Sequence, residues 1–71
     1  MLYRRIRDLR EDHDYTQSEL ADRLRISQPA YSYYESGERT IPIEILIQLA
    51  RFYQVSVDYI LGETDNPKRY E

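Results

Sequence analysis

The sequence predicts an all-α domain of five short helices, and three observations predict it. Apolar residues recur at three- and four-residue spacing, as in Leu20, Ala21 and Leu24 and again in Leu46, Leu49, Ala50 and Tyr53; that spacing lines one face of a helix. Residues suited to a helix start, Thr16, Ser27, Pro42 and Ser56, stand just before four of the stretches, where side-chain oxygens or a fixed φ serve the first turn. Gly37 and Gly62 close two of them as left-handed caps.

The elements follow in order. Helix 1 is expected from about Leu2 or Tyr3 to His13, with Leu2, Ile6 and Leu9 inward. Helix 2 starts at Gln17, because Thr16 caps and Glu19, three residues on, completes a capping box. The small Ala21 on its inward stripe lets another helix cross closely. Arg25 and Ile26 interrupt the pattern, Ser27 caps again, and helix 3 runs from about Gln28 through Pro29 to Glu35. A turn this short matches the helix-turn-helix spacing in which the second helix lies in the DNA major groove. Helix 4 follows Pro42 and continues to about Tyr53, with Ile43, Ile45 and Ile47 as apolar groups beyond what one face needs. Some of those extra groups are expected to be exposed or to meet a second subunit. Ser56 caps a last helix, Val57 to Leu61. A domain over 1–62 is thus followed by a polar stretch, 63–71, that contains Pro67 and is expected to fray.

The ordered set Thr16-Gln17, Glu19-Leu20-Ala21, Ile26-Ser27-Gln28, Glu35, Gly37 and Pro42, with VSVDYILG downstream, resembles the helix-turn-helix domains of phage lambda repressor and Cro and their small bacterial relatives. The resemblance spans roughly Ile6 to Gly62 and implies a sequence-specific DNA-binding transcriptional regulator, a repressor, of bacterial or phage source. It implies that Tyr31 and Tyr34 face the core, leaving Gln28, Pro29, Ser32 and Tyr33 on the groove side. An amide such as Gln28 can bridge adenine N6 and N7, Ser32 can bond either kind of base edge, and Pro29 and Ala30 can meet a thymine methyl. Phosphate contacts are expected from Gln17 and Ser27 and, in the loop, from Arg39 and Thr40; for Gln17 the positive end of helix 2 adds a physical reason. Arg10 and Glu35 match a structural ion pair of the family.

Four residues depart from the family pattern. Asp14 and Arg25 stand where glycine is usual, Tyr15 where a core leucine is usual, and Tyr33 where Lys or Arg is frequent. Left-handed backbone at Arg25 would cost on the order of 1 kcal/mol, and Tyr33 removes a cation from the groove face.

Composition sets the remaining bounds. Seventy-one residues make one domain, near the size below which a core needs staples, and there is no cysteine to supply them. No apolar run approaches a membrane span and no secretory signal opens the chain, so a cytoplasmic protein is expected. The net charge of -3 is unfavourable for a DNA binder. Its distribution is less so, because Ser27 to Tyr34 carries no charge while Arg4, Arg5, Arg7 and Arg10 crowd helix 1. Arg23 and Arg25 read as balancing Asp22 and Glu19 on a wet face. The lone His13 reads as a solvated helix-end residue, and carboxylates such as Asp8, Glu11 and Asp12 as exposed surface. Enzyme, metal, cofactor and small-molecule substrate are therefore not expected. The partner expected is double-stranded DNA with a palindromic operator, read by a homodimer whose recognition helices lie about 34 Å apart. Ile60 is the residue expected at the dimer interface. The alternative is a protein-interaction module that keeps the fold with little DNA affinity.

Overall fold

In a computed structural model, which describes residues 3–68, the chain forms five helices and, among the described residues, no strand. They are α1 (Arg4–Asp12), α2 (Gln17–Leu24), α3 (Gln28–Ser36), α4 (Ile43–Tyr53) and α5 (Val57–Leu61). The helices close a ring of contacts in which α1 meets α3 and α5, α3 meets α2, α2 meets α4, and α4 meets α5. Ile6, Leu20, Tyr31, Leu49 and Ile60 sit fully buried at its centre, one from each helix. Every helix thus contributes an anchor to a single core.

Local chemistry sets the boundaries. Thr16 accepts a hydrogen bond from the Glu19 amide at 3.1 Å while the Glu19 carboxylate accepts from the Thr16 amide at 2.9 Å, so the capping box is complete. Ser27 and Ser56 cap in the same way, accepting from the amides of Ala30 at 3.2 Å and Tyr59 at 3.0 Å. Gly37 and Gly62 end α3 and α5 at φ 84° and 81°. Asp14, Arg25 and Gln54 turn the other three corners at φ 59°, 57° and 58°. The Arg25 corner lets the Ile26 amide reach the Ala21 carbonyl at 3.0 Å, which closes α2 and aims the chain into α3.

Several expectations need correction. Helix 1 begins at Arg4, and Leu2 lies outside the described residues. Ile60 is 1% exposed and belongs to the core, so it is not a surface residue available to a second subunit; α5 is so short that its one inward position must be spent on the domain itself. Ile45 is also buried, leaving Ile43 and Ile47 as the exposed isoleucines of α4. His13 is exposed at the end of α1 as expected, with its ring 5.0 Å from that of Tyr53 and Nδ1 2.8 Å from the Leu9 carbonyl. Tyr15 is half-buried, 5.3 Å from the Phe52 ring.

Residues 63–68 do not simply fray. The Arg5 guanidinium, on α1, donates to the Tyr59 carbonyl at 2.8 Å and to the Thr64 carbonyl, pairs with Asp65, and lies 4.1 Å from the centre of the Tyr59 ring. The Pro67 carbonyl then accepts from the Ser56 amide at 3.0 Å. One side chain satisfies two carbonyls and a carboxylate, which polarity alone does not reveal. Arg5→Ala should therefore speed amide hydrogen exchange at Ser56 while leaving Leu20 and Leu49 protected; unchanged exchange at Ser56 would show that the segment holds without Arg5.

Candidate nucleic-acid interface

The interface is built on a pair of charges beneath it. Arg10 Nε and Nη2 donate to the two carboxylate oxygens of Glu35, each at 2.9 Å, and Nη1 donates to the Tyr15 carbonyl at 2.9 Å. The two side chains are only 14% and 4% exposed. A bidentate fork of this kind fixes orientation as well as distance, so α1 and the start of α2 are tied to the far end of α3. Gln17 joins the cluster, its amide donating to Glu35 Oε1 over a longer 3.4 Å.

The protonation states follow from this packing. Burial alone would raise the Glu35 carboxyl, but the hydrogen bonds and charge of Arg10, helped by Tyr31 and Gln17, together hold the group below its usual range. The Arg10 guanidinium is raised in turn, first by its bonds to Glu35. Burial, then the Glu35 charge, pushes the Tyr31 hydroxyl far up, and burial does the same at Tyr53. Both hydroxyls are buried, and neither meets a hydrogen-bond partner in bonding geometry among the described residues. Both stay neutral, and the sole charge within α3 is cancelled from below.

Outward, α3 presents what its sequence allows. Gln28 and Pro29 are exposed in the first turn, and Ser32 and Tyr33 are half-buried on the next. Tyr31 is inside and Tyr34 packs partly against the core, as the family resemblance implies. Ser27 is exposed; its oxygen is occupied by the cap, but its hydroxyl hydrogen is free to donate to an anion. Arg39 and Thr40 are exposed in the following loop.

Two arrangements were not legible beforehand. The Arg39 guanidinium lies 4.6 Å from the centre of the Tyr33 ring, and its amide donates to the Tyr33 carbonyl at 3.3 Å. Tyr33 thus holds a cation at the position where its own side chain supplies none. Arg7 is the second case: with Arg10, Gln17, Ser32, Glu35 and Ser36 it lines a shallow hollow of about 260 Å³ between α1, α2 and α3. Its i, i+3 spacing from Arg10 is the signal that could have placed it there. The outward side of α3 thus carries no charge of its own, with Arg39 and Glu38 exposed in the loop beside it and Arg7 paired with Glu11.

Removing Arg10 should cost about 3–5 kcal/mol at pH 7, since it strands a buried carboxylate. In the native protein Glu35 is depressed, so its contribution is full above its unfolded pKa and is lost as pH falls through the lower folded value. In Arg10→Met the stranded carboxyl is instead raised by burial, so acid relieves it. Urea unfolding at pH 7 and pH 4 should show the deficit of Arg10→Met shrinking at the lower pH; a deficit that grows would contradict the assignment.

Comparison with known proteins agrees with this geometry. The family model described as Helix-turn-helix matches residues 6–60. The chain is 45% identical over 67 residues to the HTH-type transcriptional regulator YobD of Bacillus subtilis, covering 94% of this chain and 60% of that protein. It is 36% identical over 70 residues to the HTH-type transcriptional regulator ImmR of the same species, covering 99% and 55%. It is 31% identical over 65 residues to the cryptic phage CTXphi transcriptional repressor RstR of Vibrio cholerae, covering 92% and 59%. The chain thus spans only about three fifths of the length of these relatives. With the match running from the first turn of α1 to the last turn of α5, this chain belongs to the helix-turn-helix family.

Proposed function

We propose that this chain is a sequence-specific DNA-binding transcriptional regulator, acting as a repressor, that lays α3 in the major groove. The observation that carries the reading is the exposed, uncharged face of α3 held rigid by a buried bidentate pair. Gln28 and Ser32 have the donors and acceptors that base edges require, and Pro29 and Tyr33 offer apolar contact. Gln17, Ser27, Arg39 and Thr40 surround that face with groups suited to phosphate. Relatives named as regulators, one of them a phage repressor, support regulation and repression in particular. The interaction-module alternative is less favoured, because it drew on the acidic balance and on Tyr33, and the latter carries Arg39.

A single module of this size reads few base pairs, so two copies on a palindromic operator complete the reading. Among the described residues no helix is long and apolar enough to cross a membrane, which fits a protein working beside DNA in the cytoplasm.

Selection of bound sequences from random duplexes tests the whole reading, which predicts a defined and symmetric site. Enrichment of no sequence would defeat it. Gln28→Ala should cost about 1–3 kcal/mol on the selected site and relax preference at one base pair. An equal loss on random DNA would reassign Gln28 to positioning. Gln17→Ala should weaken all sequences alike, since its partner is phosphate; a changed base preference would refute that role.

A further inference from the structure

Arg39 is an exposed cation that forms no ion pair among the described residues, with its neighbour Glu38 or with any other acid. Arg4, Arg5, Arg7 and Arg10, by contrast, are each paired within the chain. What holds Arg39 is an aromatic ring. Its guanidinium carbon lies 4.6 Å from the centre of the half-buried Tyr33 ring, and the backbone brings the two together. The Tyr33 carbonyl accepts from the Gly37 amide at 3.1 Å, the Ser36 hydroxyl at 3.2 Å and the Arg39 amide at 3.3 Å. With Gly37 in the left-handed region at φ 84°, the chain turns back on the last turn of α3 and sets residue 39 beside residue 33.

Attraction to a ring face engages the charge of a guanidinium and leaves its in-plane N–H donors free for an anion. An arginine loose in solvent must surrender rotamer freedom when it binds, and one already ordered against a ring surrenders less. Base edges are read from the N-terminal residues of a recognition helix. Tyr33 lies past the middle of α3 and Arg39 beyond its end, so the pair is suited to the wall of the groove, which is phosphate. We infer that Tyr33 is a positioning residue for DNA binding, its ring holding the Arg39 guanidinium in place for a backbone phosphate. The inference rests on the DNA reading proposed above, and it gives Tyr33 a task other than touching a base.

Fluorescence anisotropy on the selected duplex and on a random one, over a series of salt concentrations, tests it with Arg39→Ala, Tyr33→Leu, Tyr33→Phe and the double variant of Tyr33→Leu with Arg39→Ala. Leucine keeps apolar bulk and helix propensity but has no π face, and circular dichroism with melting should show each variant folded. Arg39→Ala should weaken both duplexes alike and lower the slope of log K against log salt by about one. Tyr33→Leu should weaken binding about two- to fivefold, as a cation at an exposed site loses its ring, whereas Tyr33→Phe should bind like the wild type. The double variant should bind no more weakly than Arg39→Ala alone, because the ring acts only through the cation. Losses that multiply in the double variant, a Tyr33→Phe as weak as Tyr33→Leu, or an unchanged salt slope in Arg39→Ala would each overturn the inference. A readout without DNA separates it from the reading on which it rests: in the free protein, nuclear magnetic resonance should find the Arg39 side-chain protons displaced upfield by the Tyr33 ring, and Tyr33→Leu should abolish that displacement. A wild type that shows the displacement but binds neither duplex overturns the DNA reading and with it the task given to the ring. A wild type that binds the selected duplex without the displacement overturns the positioning role alone.

Discussion

Burying a charge is costly unless its partner comes with it, and Glu35 can sit inside this domain only where Arg10 reaches it from another helix. That requirement sets the relation of α1 to α3. Because the guanidinium also holds the Tyr15 carbonyl, and Glu35 also accepts from Gln17, the beginning of α2 is referred to the same two groups. A pair like this need not add net stability over an apolar replacement of equal volume. What it supplies is direction: two parallel hydrogen bonds leave the end of α3 little freedom to rotate, and the side chains it offers outward inherit that order.

The helices themselves were legible in the sequence because their determinants are local. Thr16 with Glu19, Ser27, Ser56, Gly37 and Gly62 act within a turn of their own positions, and each does in the structure what its residue type requires. Resemblance to relatives added the long-range Arg10 and Glu35 contact, which spacing could not have supplied across 25 residues. Ile60 shows where local reading stops. Its surroundings in sequence are those of a short capped helix, and whether such a residue faces the core or a partner depends on how α5 is rotated against α1 and α4. The left-handed Gln54 was likewise invisible, since nothing about glutamine favours that backbone; here its amide reaches the Arg51 carbonyl at 2.6 Å.

The candidate interface was legible by residue identity and less so by arrangement. Gln28, Pro29, Ser27 and Thr40 lie exposed where the pattern puts them. The contribution of Tyr33 depended on a residue six positions away across a glycine corner, and the ring that seemed to subtract a cation serves as a platform for one. Arg5 illustrates the same lesson at the opposite end, where a residue grouped with the basic first helix instead clasps the chain after α5. Charge counted along a sequence describes how many ions there are, and only the fold decides which of them remain available to a nucleic acid.

The three left-handed corners at Asp14, Arg25 and Gln54 join α1 to α2, α2 to α3 and α4 to α5. Each holds a side-chain-bearing residue in a conformation that costs on the order of 1 kcal/mol, in a domain whose total stability should be small. All three are exposed, and none belongs to the core or to the groups that α3 offers to DNA. Glycine or asparagine exchanged into such a corner should relieve that cost. Stability can therefore be adjusted at these corners by residues that take no part in the core or in the outward side of α3.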